Sequence, residues 1–163
     1  MTSSPYTHSE LVEMLTHVQY ELDMLVETSI ALSDRHEWVI QNALVESFVV
    51  HARSLDEFFF NVDRRKKRNR VTAADYLHSR CTEKPSRPEV LRNLWNQASV
   101  RVAHLLIERL ETDPDSTYWQ IQGIRDALID VAKAWGKDAK LNRFEIRVPH
   151  IEPATGSTVS PGL

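Results

Sequence analysis

Cysteine occurs once, at Cys81, so no internal disulfide framework staples this chain, and a single thiol fits a reducing compartment. Glycine is nearly as scarce, with four in 163 residues, and Gly156 and Gly162 fall in the last eight. A β-rich or doubly wound domain needs many more turn glycines, which leaves a chain that is mostly helix. No apolar run approaches the roughly 18–20 residues that span a bilayer. The opening MTSSPYTHSE has neither the basic region nor the apolar stretch of a secretory leader. The expected setting is therefore cytoplasmic, with no membrane partner. Charge of one sign is also missing in bulk. A net charge of −3 and a pI near 6.2 exclude wholesale attraction to nucleic acid or lipid, so any such activity belongs to a local patch. What is present, 42% hydrophobic and 26% charged residues, suits one globular domain with its own core.

The apolar residues repeat with helical period. Thr7 and Glu10 have the spacing of a capping box, and behind them Leu11, Leu15, Val18, Leu22, Leu25, Ser29 and Leu32 alternate steps of four and three. That pattern predicts a long first helix with a heptad-like seam. Asp34 and Glu37 repeat the capping spacing and open a second helix, expected to end near Asp63. A short helix is expected from Thr72 (TAADYLHS), with Thr72 as N-cap and Asp75 in the first turn. TEKPSRPE reads as a loop. Ser86 and Glu89 then open a helix through Glu111, with Asn96, Val100, Ala103, Ile107 and Leu110 on its inner face. A last helix starts near Ser116, carries Ile121, Ile124, Leu128, Val131 and Trp135, and has Gly136 as its cap. The four tryptophans, Trp38, Trp95, Trp119 and Trp135, are expected to anchor core or interface. The predicted fold is all-α: an antiparallel four-helix bundle with one short extra helix over residues 1–142, and a flexible C-terminal tail over 143–163 in which FEIRV alternates like a short strand.

One segment carries more than packing. From Asn42 to Phe60 (NALVESFVVHARSLDEFFF), a helix of about 100° per residue sets Leu44, Phe48, Ala52, Leu55 and Phe59 in one stripe. His51 falls on one edge of it and Asp56 on the other, with Arg53 and Glu46 further round. Burying polar groups without partners costs a few kcal/mol, so His51 and Asp56 mark a candidate site. His104 flanks the inner face of the third predicted helix, with Arg101 one turn before it. If those two helices are neighbours, His51, Arg53, Asp56, Arg101 and His104 share a groove. A near-neutral proton carrier beside cations is what RNA cleavage uses. A polar network fixing helix register, with Arg53 paired to Asp56 at i, i+3, explains the same residues without catalysis.

ESFVVHARSLDEFF, VTAADYL and RVAHLL resemble three landmarks of a largely uncharacterised group of bacterial helical proteins. That group is similar in turn to the HEPN bundles, many of which are ribonucleases or defence and toxin components. The resemblance spans about Asn42 to Arg109 and implies a helical bundle in nucleic-acid-linked or defence biology. The HEPN signature is Arg, four to six residues, then His. Ahead of His104 those positions hold Ser99, Ala98 and Gln97, and the flanking arginines are Arg101 and Arg92. The departure favours a binding protein; a metal-independent ribonuclease using His51 and His104 is the alternative, and a helical interaction or dimerisation protein a third reading.

Arg64, Arg65, Lys66, Lys67, Arg68 and Arg70 concentrate positive charge within a mildly acidic chain, enough local field to bind the phosphates of RNA or another nucleic acid. No aromatic residue interleaves them, so base stacking there has no support. Alternatively, they form a solvated turn that neutralises the end of the preceding helix. Glu13, His17 and Glu21 share a flank of the first helix, but paired Glu-x-x-His elements and Cys/His arrays are missing. No metal or cofactor is expected. The partners expected are nucleic acid at the basic patch, and a second copy or another protein.

Overall fold

The computed structural model describes residues 4–60, 70–77, 86–99, 102, 119–138 and 147. Among these the architecture is all-α, with α1 (His8–Ala31), α2 (Trp38–Phe60), a short α3 (Leu94–Ala98) and α4 (Ile121–Asp138), plus 3-10 turns at Ala73–Asp75 and Glu89–Leu91. α1 and α2 form an antiparallel hairpin, so Glu21, ten residues before the end of α1, meets His51, thirteen after the start of α2. α4 and α3 pack on this hairpin around one core.

α1 starts where its capping box sets it. The Thr7 N–H donates to Glu10 Oε2 at 2.7 Å and the Glu10 N–H to Thr7 Oγ1 at 3.3 Å. The Thr7 N–H and, at 2.8 Å, the Thr7 hydroxyl both donate to the Glu10 carboxylate and hold its pKa below the ordinary value. The seam is buried as the periodicity requires: Leu15, Val18, Leu22, Leu25 and Ser29 all face the core. Ser29 and Thr28 are tolerated there because their hydroxyls donate back to the carbonyls of Val26 and Met24, at 2.7 and 2.6 Å. The helix closes in tight turns through Asp34, and a His36 ring nitrogen lies 2.7 Å from the Ala31 carbonyl. Asp34 therefore belongs to the end of α1. It does not cap α2, whose first turn hangs on the Glu37 carbonyl, 2.9 Å from the Gln41 N–H.

Along α2, Phe48, Ala52, Leu55 and Phe59 are buried and Leu44 half-buried, as the stripe demands. α4 buries Ile124, Leu128, Val131 and Trp135. It begins at Ile121, later than the expected Ser116, and Gly136 lies within it, so Gly136 is no cap.

The expected short helix after Thr72 is a single 3-10 turn locked from three sides. Asp75 Oδ2 accepts from the Thr72 N–H (2.9 Å) and hydroxyl (3.0 Å), and its Oδ1 accepts from Ser4 (3.1 Å). The Tyr76 hydroxyl donates to the Leu11 carbonyl at 2.8 Å, and Trp135 Nε1–H to the Ala73 carbonyl at 3.1 Å. Burial, with the Asp75 charge nearby, pushes the Tyr76 phenol well above its ordinary pKa.

The third helix departs most from expectation. In place of a run opening at Ser86, Pro88 precedes a 3-10 turn and a break follows; helix resumes at α3, Leu94–Ala98, with Ser99 and Val102 π-helical beyond it. Leu91, closing the 3-10 turn, and Leu94, opening α3, are both fully buried. Asn96, expected inside, is exposed. Val100, Ala103, Ile107 and Leu110 lie outside the described residues. So does the tail, except Arg147, whose N–H donates to Gln19 Oε1 (2.8 Å) and whose carbonyl accepts from Gln19 Nε2 (2.7 Å). Trp135 is core and Trp119 packs against the core cluster, whereas Trp38 is 79% exposed and belongs to no core cluster among the described residues.

Candidate functional site

His51 and Asp56 sit five residues apart on α2, which separates them by about 140° around the axis. They consequently meet different partners. His51 turns toward α1, where its Nδ1 lies 2.7 Å from Glu21 Oε2 and Tyr20 packs edge-on against its ring, centroids 5.7 Å apart. A carboxylate only accepts, so Nδ1 carries the proton. The ring is mostly covered, at 11% exposure against 28% for Glu21. Such a pair fixes the histidine's tautomer and orientation, as a general base requires, and equally ties two helices together.

Asp56 is the more unusual group. Its side chain is 1% exposed, and its counter-charge is Arg87, whose NH2 group lies 3.2 Å from Asp56 Oδ2. The expected i, i+3 pairing of Asp56 with Arg53 gives way to this long-range partner, because the stripe edge carrying Asp56 faces the segment before α3. Arg87 also rests over the Phe60 ring, 5.2 Å from its centroid. The ion pair lacks an aligned hydrogen bond: both Asp56 oxygens and Arg87 Nε are buried without a partner of good geometry, as is Ser99 Oγ. Burial pushes the Asp56 carboxyl up to about 6, with Arg87 pulling it down and Glu57 adding to the rise.

Arg53 bonds along its own helix to Glu57, Nε to Oε1 at 3.7 Å. Glu57 also binds Arg70, NH1 to Oε2 at 2.6 Å. Arg70 is the one described member of the basic cluster, and its guanidinium is clamped to the last turns of α2. Arg64, Arg65, Lys66, Lys67 and Arg68 lie outside the described residues, as do Arg101 and His104. Glu46 is exposed.

Sequence reasoning missed Arg87 and Glu21 as partners. Glu21 was legible only as a flank residue of α1, and Arg87 sits between two prolines where no periodicity points inward. Among the described residues, no group of three or more His, Cys, Asp or Glu side chains is placed to hold a metal ion, and no helix is long and apolar enough to cross a membrane.

The two α2 sites differ in what substitution should do. His51→Ala leaves Glu21 without its donor, yet Glu21 is open enough to hydrate. A loss of about 1–2 kcal/mol is expected, read as a lower urea midpoint; an unchanged midpoint would remove His51 from the bracing of α1 on α2.

No family model, no curated protein and no solved structure matches this chain.

Proposed function

We propose that this chain is a HEPN-like helical-bundle protein that binds nucleic acid in RNA-linked or defence biology, and that the segment Arg64 to Arg70 meets the phosphates. The supporting observation is the clamp of Arg70 on Glu57 at 2.6 Å, which ties the C-terminal end of the basic segment to the bundle. A tethered run of cations loses less freedom on meeting a phosphate backbone than a free one does. Two of the described candidate catalytic groups are held by other partners, Arg53 by Glu57 and Asp56 by Arg87. Binding therefore fits this molecule better than cleavage.

RNA and DNA affinity should fall steeply as salt rises, because each phosphate contact releases counterions and adds about 0.7–0.9 to the log–log slope. The variant with Arg64, Arg65, Lys67 and Arg68 all changed to Ser should bind far more weakly and lose most of that slope. Equal affinity in both proteins, or no binding at low salt, would remove the segment from the mechanism.

The Glu21 contact, by fixing the His51 tautomer, favours the ribonuclease as a second reading. Metal-independent RNA cleavage by the parent, abolished by His51→Ala and by His104→Ala while the fold persists, would promote it over the first.

A further inference from the structure

The end of the bundle where α1 turns into α2 is built differently from the rest of the described surface. Trp38, Val39 and Ile40 open α2 at 79%, 67% and 49% exposure. Three consecutive large apolar side chains in water are uncommon on a surface that meets nothing. Beside them lies an open cleft of about 490 Å³, with Trp38 on one wall and Ser33, Arg35, His36 and Gln41 on the others. One patch thus holds both a projecting indole and a hollow of the size that takes a large aromatic group. Its rim carries Asp34, Arg35 and Glu37, all exposed and, among the described residues, without an ion-pair partner.

From this arrangement we infer that the patch docks a second copy of the chain in a two-fold contact. Trp38 of each protomer enters the cleft of the other, and Arg35 of each faces Asp34 and Glu37 of the other. The argument for a second copy is self-complementarity. An isologous interface places the same patch on both sides, so it must contain knob and hole together and charges of both signs together. This loop does. The two acidic residues disfavour a nucleic-acid phosphate at the same place, and they disfavour an anionic lipid surface for the same reason. An aromatic anchor flanked by arginine is also the composition that interface cores favour, and Arg35 would gain the face of the incoming indole. The contact needs no nucleic acid and stands or falls apart from the basic segment.

Sedimentation velocity on the full chain, from low micromolar to several hundred micromolar, tests the inference. The parent should show a concentration-dependent monomer–dimer equilibrium. Trp38→Ala removes both knobs at once and should raise the dimer Kd by roughly a hundredfold or more. Ser33→Phe, which fills the hollow and leaves the knob, should do the same, and circular dichroism should report unchanged helix for both. Mixing the two variants is the sharper experiment. The knob of Ser33→Phe still enters the cleft of Trp38→Ala, which loses its Trp38 wall but keeps Ser33, Arg35, His36 and Gln41, so the mixture should associate more tightly than either variant alone. Arg35→Glu should weaken the dimer, and Arg35→Glu with Glu37→Arg should recover part of the loss. A parent monomeric throughout overturns the inference, even if it captures some other ligand. A Trp38→Ala dimer as tight as the parent, or a mixture no more associated than its components, overturns the exchange of Trp38.

Discussion

Trp135→Ala is expected to lower stability by about 3–5 kcal/mol, enough to consume much of the margin of a domain this size. The residue is 4% exposed and is the ring that the other aromatics share. Its centroid lies 5.3 Å from Phe58, 5.8 Å from Phe59 and 5.4 Å from Tyr76, each edge-to-face. Alanine would open a cavity under the last turns of α2 and also strip the Ala73 carbonyl of its donor. Trp135→Phe separates the two effects: most of the ring stays, the N–H goes, and about 1–3 kcal/mol is expected for the unpaired carbonyl and imperfect fit. Urea unfolding followed by circular dichroism gives both numbers. Losses under about 1 kcal/mol for the alanine variant would show that this cluster does not hold α4 to the hairpin.

That cluster was half legible from sequence. The steps Ile124, Leu128, Val131, Trp135 in α4 and Leu15, Val18, Leu22, Leu25 in α1 declare their buried faces, because a helix with one wet side can hide residues only at that period. The capping boxes were legible for the same kind of reason, since Thr7 with Glu10 satisfies its bonds within one turn. The 73–75 turn shows where locality ends. Its cap is written in Thr72 and Asp75, but its shortness follows from Trp135 and Tyr76 docking on it from distant positions. The stretch from Ser86 to Asn93 fails to open the expected helix through Pro88 and the burial of Leu91 beside Leu94, a packing demand with no local signature. Trp38, expected in core or interface, is exposed, and composition does not say what would cover it. In the site, the positions of His51 and Asp56 on the stripe edges were readable, whereas Glu21 and Arg87 were not. A partner reached across a loop leaves no spacing to count.

Arg87→Ala and Asp56→Asn should shift stability in opposite directions, and both shifts should depend on pH. Removing Arg87 leaves a carboxylate that is 1% exposed with no counter-charge. The variant can escape by protonating Asp56, so the cost is expected to grow by about 1.4 kcal/mol per pH unit above 6 and to reach about 3 kcal/mol only near pH 8. Asp56 has its pKa raised from 3.8 to about 6 by the fold, so the folded state prefers the protonated acid. Its favourable contribution is then fully present below about pH 4, is lost as pH rises through 6, and stays lost beyond. A displacement of that size amounts to ~3 kcal/mol between the two limits. Asp56→Asn removes the group that titrates. It should stabilise the protein by about 1–2 kcal/mol at pH 7–8, the remainder being absorbed by amide protons that also want partners, and it should flatten the stability profile between pH 4 and 6. The Arg87→Ala deficit should shrink toward pH 4, where Asp56 is neutral with or without its partner. In the double variant the arginine is no longer missed, so its loss should cost little on the Asn background, and the coupling between the two positions measures the pair directly. A parent whose stability rises from pH 4 to 6, with Asp56→Asn removing that rise, would mean that Arg87 over-compensates the burial and that the ion pair stabilises the bundle.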